Sequence, residues 1–206
     1  MAQLIVFEGI DGSGKTSLSK LFLAHLLQGG TPAIWLREPT DSPLGEMIRR
    51  LAQDREAIAI QKELDLFLQD RRWDVETNIL PALRSGTTVV MDRYYYSNAC
   101  YQGARGLDME AILRTNRGFA PEPDIVFIID ADVERALARI SLARQGVAKL
   151  FEKREFLEKV RGNYLALRGA NLVLIDGNPE LGTVMNDVLA RFGERNRAAT
   201  PPASGK

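Results

Sequence analysis

Short runs of apolar, β-prone residues recur along the chain, and stretches whose apolar positions follow helical spacing separate them. The runs are 3–7, 33–36, 87–91, 125–129 and 172–175. Near-continuous apolar strands that alternate with helices are typical of a parallel sheet covered by helices on both faces. The pattern therefore predicts an α/β fold with a five-stranded parallel sheet, whose ligands bind at the carboxyl ends of the strands.

The first run leads into FEGIDGSGKT, residues 7–16, and then into a helical stretch. Gly9, Gly14, Lys15 and Thr16 fit the phosphate-loop pattern G-x-x-x-x-G-K-S/T in the strand-to-helix context that this motif requires. The glycines let backbone N–H groups converge on phosphate oxygens, and the helix adds its positive N-terminal end. Lys15 is expected to meet the outer phosphates and Thr16 to bind Mg²⁺. The motif thus predicts a P-loop NTPase fold.

Length and composition limit the other possibilities. A chain of 206 residues suits one domain, and equal numbers of acidic and basic residues, 27 each, give no net field that attracts nucleic acid or an acidic membrane. The single cysteine, Cys100, excludes an internal disulfide and suits a small buried hydrophobe. No leader or long apolar run is visible, so we expect a cytoplasmic protein. Residues 1–192 are predicted to form a single P-loop domain and 193–206 a disordered tail.

Two further segments carry candidate chemistry. Asp92 and Arg93 directly follow the third predicted strand; Asp92 suits Mg²⁺ or its waters, and Arg93 suits a phosphate. Phe67 and Arg71 lie four residues apart in a predicted helix at 64–73, so a flat ring and a hydrogen-bond fork share one face. Plainer readings stay open, because Phe67 would also suit the core and Arg71 a solvated face.

Six segments together resemble bacterial thymidylate kinases in order and spacing, over about 4–176. They read FEGIDGSGKT, REP, LFLQDRRW, DRYYYSNACYQG, PEPDIVFIID and FEKREFLEKVRGNYLAL. The set carries the specificity, because many NTPases share the phosphate loop alone. The resemblance implies a homodimeric enzyme that uses Mg²⁺ and transfers the γ-phosphate of ATP to dTMP, giving dTDP and ADP.

The resemblance also implies residue roles. Asp11 would hold the 3′-hydroxyl of the acceptor, Arg93 its phosphate, and Tyr101 would crowd the 2′ position of the sugar. Phe67 would stack on thymine and Arg71 would bond its O4. The residues expected at dTMP are Asp11, Arg37, Pro39, Phe67, Arg71, Arg93, Ser97, Asn98, Tyr101 and Gln102. Those expected at ATP are Gly9, Asp11, Gly12, Ser13, Gly14, Lys15, Thr16, Ser17, Arg139 and Arg144.

The expected reaction depends more on positive charge at the site than on proton transfer. A monophosphate has a second pKa near ~6, so its attacking oxygen is already largely anionic and needs no strong general base. Catalysis would come from aligning two anions and from cations. The residues expected to act in catalysis are Lys15, Arg93, Asp92, Arg144 and Asp11, with Thr16 and Asp92 at the metal.

The sequence departs from the family pattern in two places. Many members read REPGGT where this chain reads REPTDS at 37–42. The family supplies a mobile arginine either from the phosphate loop, where this chain has Gly12, or from a lid, here 139–153. The lid position where many members carry this arginine holds a different residue here. Arg144 is therefore the expected substitute, with Arg139 next and Lys149 as a third candidate.

Other functions stay open at this point. A deoxynucleoside kinase or another monophosphate kinase would change only the acceptor, although DRY at 92–94 together with Asp11 favours a monophosphate. A nucleotide switch is a further alternative, but the chain has no Asn-Lys-x-Asp guanine motif.

Overall fold

The computed structural model describes residues 2–51, 58–141 and 150–199. One parallel sheet has the order β2-β3-β1-β4-β5, and its strands are β1 Leu4–Glu8, β2 Ala33–Arg37, β3 Thr88–Asp92, β4 Ile125–Asp130 and β5 Leu172–Asp176. The described helices are α1 Lys15–Gln28, α2 Pro43–Leu51, α3 Ile60–Asp74, α4 Leu80–Arg84, α5 Tyr95–Gly103, α6 Met109–Arg117, α7 Val133–Ser141, α8 Leu150–Ala166 and α9 Leu181–Ala199. A π-helical turn, Val75–Ile79, joins α3 to α4.

The sheet is covered on both faces, as the apolar runs predicted. The inner strands β1, β3 and β4 are almost wholly buried, whereas the edge strands β2 and β5 are partly exposed. On one face Phe7 and Phe127 pack against Phe22 of α1, with ring centroids 5.5 and 6.1 Å from that of Phe22. On the other face the core takes in side chains from α5 and α8. The predicted P-loop α/β fold is therefore confirmed.

The strand register brings the functional candidates to one edge of the sheet. Asp92, the last residue of β3, lies level with Phe7 of β1 and with Arg37 of β2. Parallel strands end at the same edge, so the residues that follow β1, β2 and β3 meet there. In the described part of the chain, we find no helix that is both long and apolar enough to cross a membrane.

The predicted tail begins too early. Helix α9 continues to Ala199, so residues 193–199 are helical rather than disordered, whereas the rest of the predicted tail, 200–206, lies outside the described residues. The segment lacks an apolar period, but it extends a helix that is already packed on the core, and its Glu, Arg and Ala residues favour helix. Asn196 also accepts a hydrogen bond of 3.1 Å from Gln3 Nε2, which ties this extension to the start of β1.

Candidate active site at the phosphate loop

The phosphate loop between β1 and α1 has a tightly enclosed backbone. Gly9, Gly12 and Gly14 have φ of 143°, 81° and 95°, the region that favours glycine. A Cβ on Gly9 would lie 2.6 Å from the carbonyl oxygen of Ile129, and one on Gly12 would overlap the carbonyl of Ala136 in α7. An arginine at position 12 would therefore require the loop and α7 to move apart, which supports the expectation that this chain takes no mobile arginine from the loop.

Lys15 opens α1 and lies across the loop. Its ammonium donates a 3.1 Å hydrogen bond to the carbonyl oxygen of Ile10, and the residue is 5% exposed. Burial, followed by the nearby positive charge of Arg93, lowers the pKa of Lys15 to about 8, while surrounding carboxylates oppose the shift. A buried cation whose hydrogen-bond partner is a neutral carbonyl is well suited to an incoming anion.

Thr16 and Asp92 form the expected metal-binding pair. The Thr16 hydroxyl donates to Asp92 Oδ2 at 2.5 Å, while Asp92 Oδ1 is buried and has no hydrogen-bond partner in the described residues. Ser13 Oγ is likewise buried without a partner there. The described chain has no cluster of three or more acidic, histidine or cysteine side chains suited to a metal. This donor set fits Mg²⁺, which uses one or two protein groups together with phosphate oxygens and water.

Arg93 follows β3 in a backbone conformation that is uncommon for a side chain, with φ of 72°. Its N–H donates to the carbonyl oxygen of Phe7 at 3.0 Å. Its guanidinium donates to Asp11 Oδ1 at 2.5 Å and to Ser97 Oγ at 2.9 Å. These contacts hold the guanidinium beside the phosphate loop, with 17% of the side chain exposed.

Tyr101 of α5 closes the same corner of the site. Its hydroxyl accepts hydrogen bonds from the backbone N–H of Asp11 at 2.9 Å and from Arg93 Nη2 at 3.4 Å. Burial raises the pKa of the phenol, so the hydroxyl stays neutral at physiological pH. The structure thus brings together Asp11, Arg93 and Tyr101, the residues that the resemblance implies at the acceptor. The exclusion of ribose by Tyr101 stays a prediction.

The REPTDS loop that follows β2 is held by Asp70 of α3. Thr40 donates to this carboxylate from its N–H at 2.8 Å and from its hydroxyl at 2.5 Å, and Ser42 Oγ donates at 2.8 Å. Thr40, which stands where REPGGT has its first glycine, therefore binds a carboxylate that is 1% exposed. Arg37 lies at the exposed rim, where it pairs with Asp41 at 2.6 Å. Pro39 follows a cis peptide bond from Glu38.

Arg71 lies inside the protein, which rules out a solvated helix face. It is 1% exposed, its Nε and Nη2 donate to the carboxylate of Glu38, and its Nη1 donates to Asn116 Oδ1 at 2.7 Å. Burial raises the pKa of Glu38, and the Arg71 guanidinium opposes the rise. Phe67, one turn earlier on α3, is half-buried and belongs to neither core cluster of the described residues, so the plain core reading is not supported.

Asn98 and Gln102 lie together on α5. Asn98 Nδ2 donates to Gln102 Oε1 at 3.4 Å, and both residues are buried. Asn98 Oδ1 has no partner among the described residues, and a buried amide oxygen without a donor is costly unless a ligand supplies one. The N–H on the edge of a thymine base would be such a donor.

Arg139 approaches the phosphate loop from α7. Its Nη1 donates to the carbonyl oxygens of Gly12 and Ser13 at 3.2 and 3.3 Å, and its Nη2 donates to that of Gly177 at 3.3 Å. Arg144 and Lys149, the other candidates for the mobile cation, lie outside the described residues. Ser17, predicted near ATP, is exposed in the first turn of α1.

Two candidate functional residues, Glu8 and Tyr164, were not predicted from the sequence. Glu8, at the end of β1, is fully buried and accepts hydrogen bonds from α5 and α8, and one of its donors is Tyr164. An acidic residue at the end of an otherwise apolar strand, directly before the loop, is the signal that could have identified Glu8. Tyr164 carries no such signal, because a tyrosine in an amphipathic helix usually packs in the core. Cys100 is buried as expected, and burial raises its pKa well above the usual range.

Comparisons with known proteins agree with this geometry. The family model described as thymidylate kinase matches residues 7–188. A probable thymidylate kinase of Archaeoglobus fulgidus is 41% identical over 185 residues, which cover 90% of this chain and 92% of that protein. A thymidylate kinase of Desulfotalea psychrophila is 40% identical over 187 residues, covering 91% and 92%, and a probable one of Pyrococcus horikoshii is 44% identical over 169 residues, covering 79% and 81%. The chain therefore belongs to the thymidylate kinase family, as its motifs predicted.

Proposed function

We propose that the protein transfers the γ-phosphoryl group of ATP to the phosphate of dTMP, giving dTDP and ADP. The observation that carries this proposal is the position of Arg93. Its side chain lies next to a phosphate loop that can hold one nucleotide, and Asp11 and Ser97 hold it at 2.5 and 2.9 Å. A cation beside the phosphate loop, in addition to Lys15, would bind a second phosphate group, and this supports an acceptor that is itself phosphorylated.

The donor nucleotide would occupy the phosphate loop. Its phosphates would contact the backbone N–H groups of 9–17 and the ammonium of Lys15, which would exchange its carbonyl partner for an anion. Arg139 supports donor binding from α7, where its guanidinium already lies on the carbonyl groups of the loop. Arg144 is proposed as the mobile arginine that meets the charge developing on the transferred group.

Thr16 and Asp92 would hold Mg²⁺, directly or through its waters. Their oxygens are 2.5 Å apart, and Asp92 Oδ1 has no partner in the described residues. The ion, when bound, neutralises phosphate charge. The chain's own contribution is to fix Asp92 at the end of β3, level with Phe7 of the strand that leads into the loop.

The acceptor would lie on the side of Arg93 opposite the donor nucleotide. Arg93 and Arg37 would bind its phosphate, and Asp11 and Tyr101 would contact its sugar. The proposed base contacts are Phe67, Arg71, Asn98 and Gln102, with Ser97 and Pro39 bordering the site. Because the acceptor phosphate is already largely anionic near neutral pH, these residues need only bind and align it.

The resemblance supports two further proposals. The protein would act as a homodimer, which light scattering during gel filtration would test. It would act in the cytoplasm, where ATP and deoxynucleotides are available, and fractionation of cells that produce the protein would test this location.

An acceptor panel tests the proposed reaction. ADP release should be measured with ATP, Mg²⁺ and each of dTMP, dUMP, dCMP, dGMP, UMP and thymidine. We expect dTMP to exceed dCMP, dGMP and UMP by well over tenfold in kcat/KM, because polar groups left unpaired by a wrong base discriminate strongly. Equal turnover of UMP and dTMP would contradict the proposal. Preference for thymidine would indicate a nucleoside kinase, and slow ADP release that ignores every acceptor would indicate a switch.

A further inference from the structure

The buried carboxylate of Glu8 joins three elements behind the active site. Its Oε1 accepts from the N–H of Tyr94 at 2.8 Å and from the N–H of Ser97 at 3.1 Å, at the start of α5. Its Oε2 accepts from the hydroxyls of Ser97 at 2.7 Å and Tyr164 at 2.8 Å. Glu8 thus caps α5, which has no side-chain cap of its own, and connects it to α8.

These hydrogen bonds have one direction. A carboxylate has no proton to donate, so Ser97 Oγ and Tyr164 Oη each donate in their bonds to Glu8, and they also lie 3.0 Å from each other, where either can act as the donor. The remaining lone pairs of Ser97 Oγ then face Arg93 Nη1, which donates to Ser97 at 2.9 Å. Burial raises the pKa of Glu8, and Arg93 most strongly opposes the rise, followed by hydrogen bonds from Ser97 and Tyr164. The donors therefore favour the ionised form of Glu8 over the neutral form, and Ser97 Oγ lies 2.9 Å from Arg93 Nη1.

Helix α8 does not need the Tyr164 hydroxyl to stay in place. Its apolar side chains Leu157 and Val160 are buried in the core, and Asn163 Nδ2 donates to the carbonyl oxygen of Cys100 at 2.9 Å. Arg161 forms a bidentate pair with Asp130 at the end of β4, at 2.5 and 2.9 Å. The hydroxyl of Tyr164 is thus available for a role other than helix docking.

We propose that Tyr164 is a positioning residue for the acceptor phosphate, acting through Glu8 and Ser97 on the guanidinium of Arg93. The inference rests on the proposed role of Arg93 and adds a residue from α8, at the far end of the helix that follows 142–149. Without the hydroxyl, Glu8 loses one of four donors, and Ser97 Oγ loses the neighbouring hydroxyl that lies 3.0 Å away. Arg93 then loses part of its fixed orientation, so dTMP binding weakens while the donor site is unaffected.

Tyr164→Phe is the direct test, because it removes one oxygen atom and keeps the ring. We expect the KM for dTMP to rise roughly tenfold, the effect of about one hydrogen bond to a charged group, while the KM for ATP changes less than about twofold. Ser97→Ala should produce the same split. The double variant should be no worse than the more affected single variant, because both changes break one path.

Tyr96→Phe is the matched control. Tyr96 is also a buried tyrosine, 2% exposed, but its hydroxyl contacts Tyr95 and Asn171 at 3.3 and 3.4 Å and has no contact with the Glu8 network. Loss of the Tyr96 hydroxyl should lower thermal stability about as much as Tyr164→Phe does. It should leave the KM values for dTMP and for ATP unchanged. If Tyr164→Phe lowered stability but kept the wild-type KM for dTMP, the hydroxyl would be structural only and the inference would be wrong.

Arg93→Lys, measured in parallel, separates the two proposals. If this variant raises the KM for dTMP and Tyr164→Phe does not, the role of Arg93 stands and only the role of Tyr164 fails. If Arg93→Lys leaves the KM for dTMP unchanged, the proposed acceptor site itself is wrong, and with it the path from Tyr164.

Discussion

The two sides of the phosphate loop hold their cations in different ways. On the proposed donor side, Lys15 and Arg139 donate to backbone carbonyl oxygens, which are neutral. On the proposed acceptor side, Arg93 and Arg71 are paired with carboxylates of Asp11 and Glu38. In the described part of the chain, the cations on the proposed donor side therefore pair with no carboxylate, whereas those on the proposed acceptor side are neutralised by carboxylates that hold them in one orientation.

The difference suggests separate tasks for the two sides. Uncompensated charge attracts a polyanion such as a nucleoside triphosphate and stabilises charge that builds during transfer. Compensated and buried cations keep one orientation, which aligns an acceptor and selects its base. Changes on the donor side should thus act mainly on turnover, and changes on the acceptor side mainly on the KM and choice of the monophosphate.

The largest expected effect is at the donor side. Lys15→Met keeps most of the buried side chain but removes the charge, and we expect kcat/KM to fall about 10³-fold or more because a cation that stabilises the transferred phosphates is lost. Circular dichroism and thermal unfolding should show an intact fold. Retention of a tenth of wild-type activity would mean that the loop cation is not essential.

The next effect concerns the mobile arginine. Arg144→Ala should lower kcat roughly 10³-fold while the KM for dTMP changes little, since the contact would form mainly in the transition state. Arg139→Ala is the control, because Arg139 already lies on the loop and should affect ATP binding more than turnover. If Arg139→Ala lost about a hundredfold in kcat and Arg144→Ala kept more than about half, the assignment would have to be exchanged.

The depressed pKa of Lys15 predicts an alkaline limit. Its pKa of about 8 in the folded protein lies below the ordinary 10.5, so kcat/KM for ATP should fall about tenfold per pH unit above pH 8 as Lys15 loses its proton. Between pH 8 and 10.5 the unfolded chain holds the proton more tightly, so this group makes the unliganded protein more stable as pH rises. Lys15→Arg should remove the limit in the remaining activity, and an unchanged pH profile would argue against Lys15 as its source.

The smallest expected effect concerns the REPTDS loop on the acceptor side. Thr40→Val replaces the hydroxyl that donates to buried Asp70 at 2.5 Å and should cost about 1–3 kcal/mol in the free energy of unfolding. Thr115→Val, on the exposed face of α6, is a control whose hydroxyl only returns to the helix carbonyl of Ala111. Urea unfolding compares the two. Equal small losses would show that the hydroxyl bond to Asp70 does not hold the REPTDS loop.

The fold could be predicted from sequence because each strand is a continuous apolar run. Each predicted strand lies within one residue of the observed one, and the phosphate loop follows β1 directly. The partners of the site residues could not be predicted in this way. Glu38 and Asn116 lie 33 and 45 positions from Arg71, and nothing in local spacing indicates that α6 brings Asn116 to the same guanidinium. Tyr164 and Glu8 are 156 positions apart and meet only because α8 packs behind the sheet.

The end of the chain illustrates the opposite limit. The absence of an apolar period after residue 192 suggested a disordered tail, yet α9 continues to Ala199. Helix extension from a packed segment depends on propensity and on a few polar contacts, such as that of Asn196 with Gln3, rather than on periodicity. Hydrophobic patterning therefore located what is buried but not where a helix ends.

Arg93 provides the most direct test of the account, through the KM values for dTMP and ATP in Arg93→Ala and Arg93→Gly. Both variants remove the guanidinium, but only glycine is at ease at φ of 72°, so agreement between them excludes backbone strain as the cause. We predict that the KM for dTMP rises about 10- to 100-fold in both variants and that the KM for ATP changes less than about threefold. A rise confined to ATP would contradict the assignment of Arg93 to the acceptor and reverse the two sides of the site.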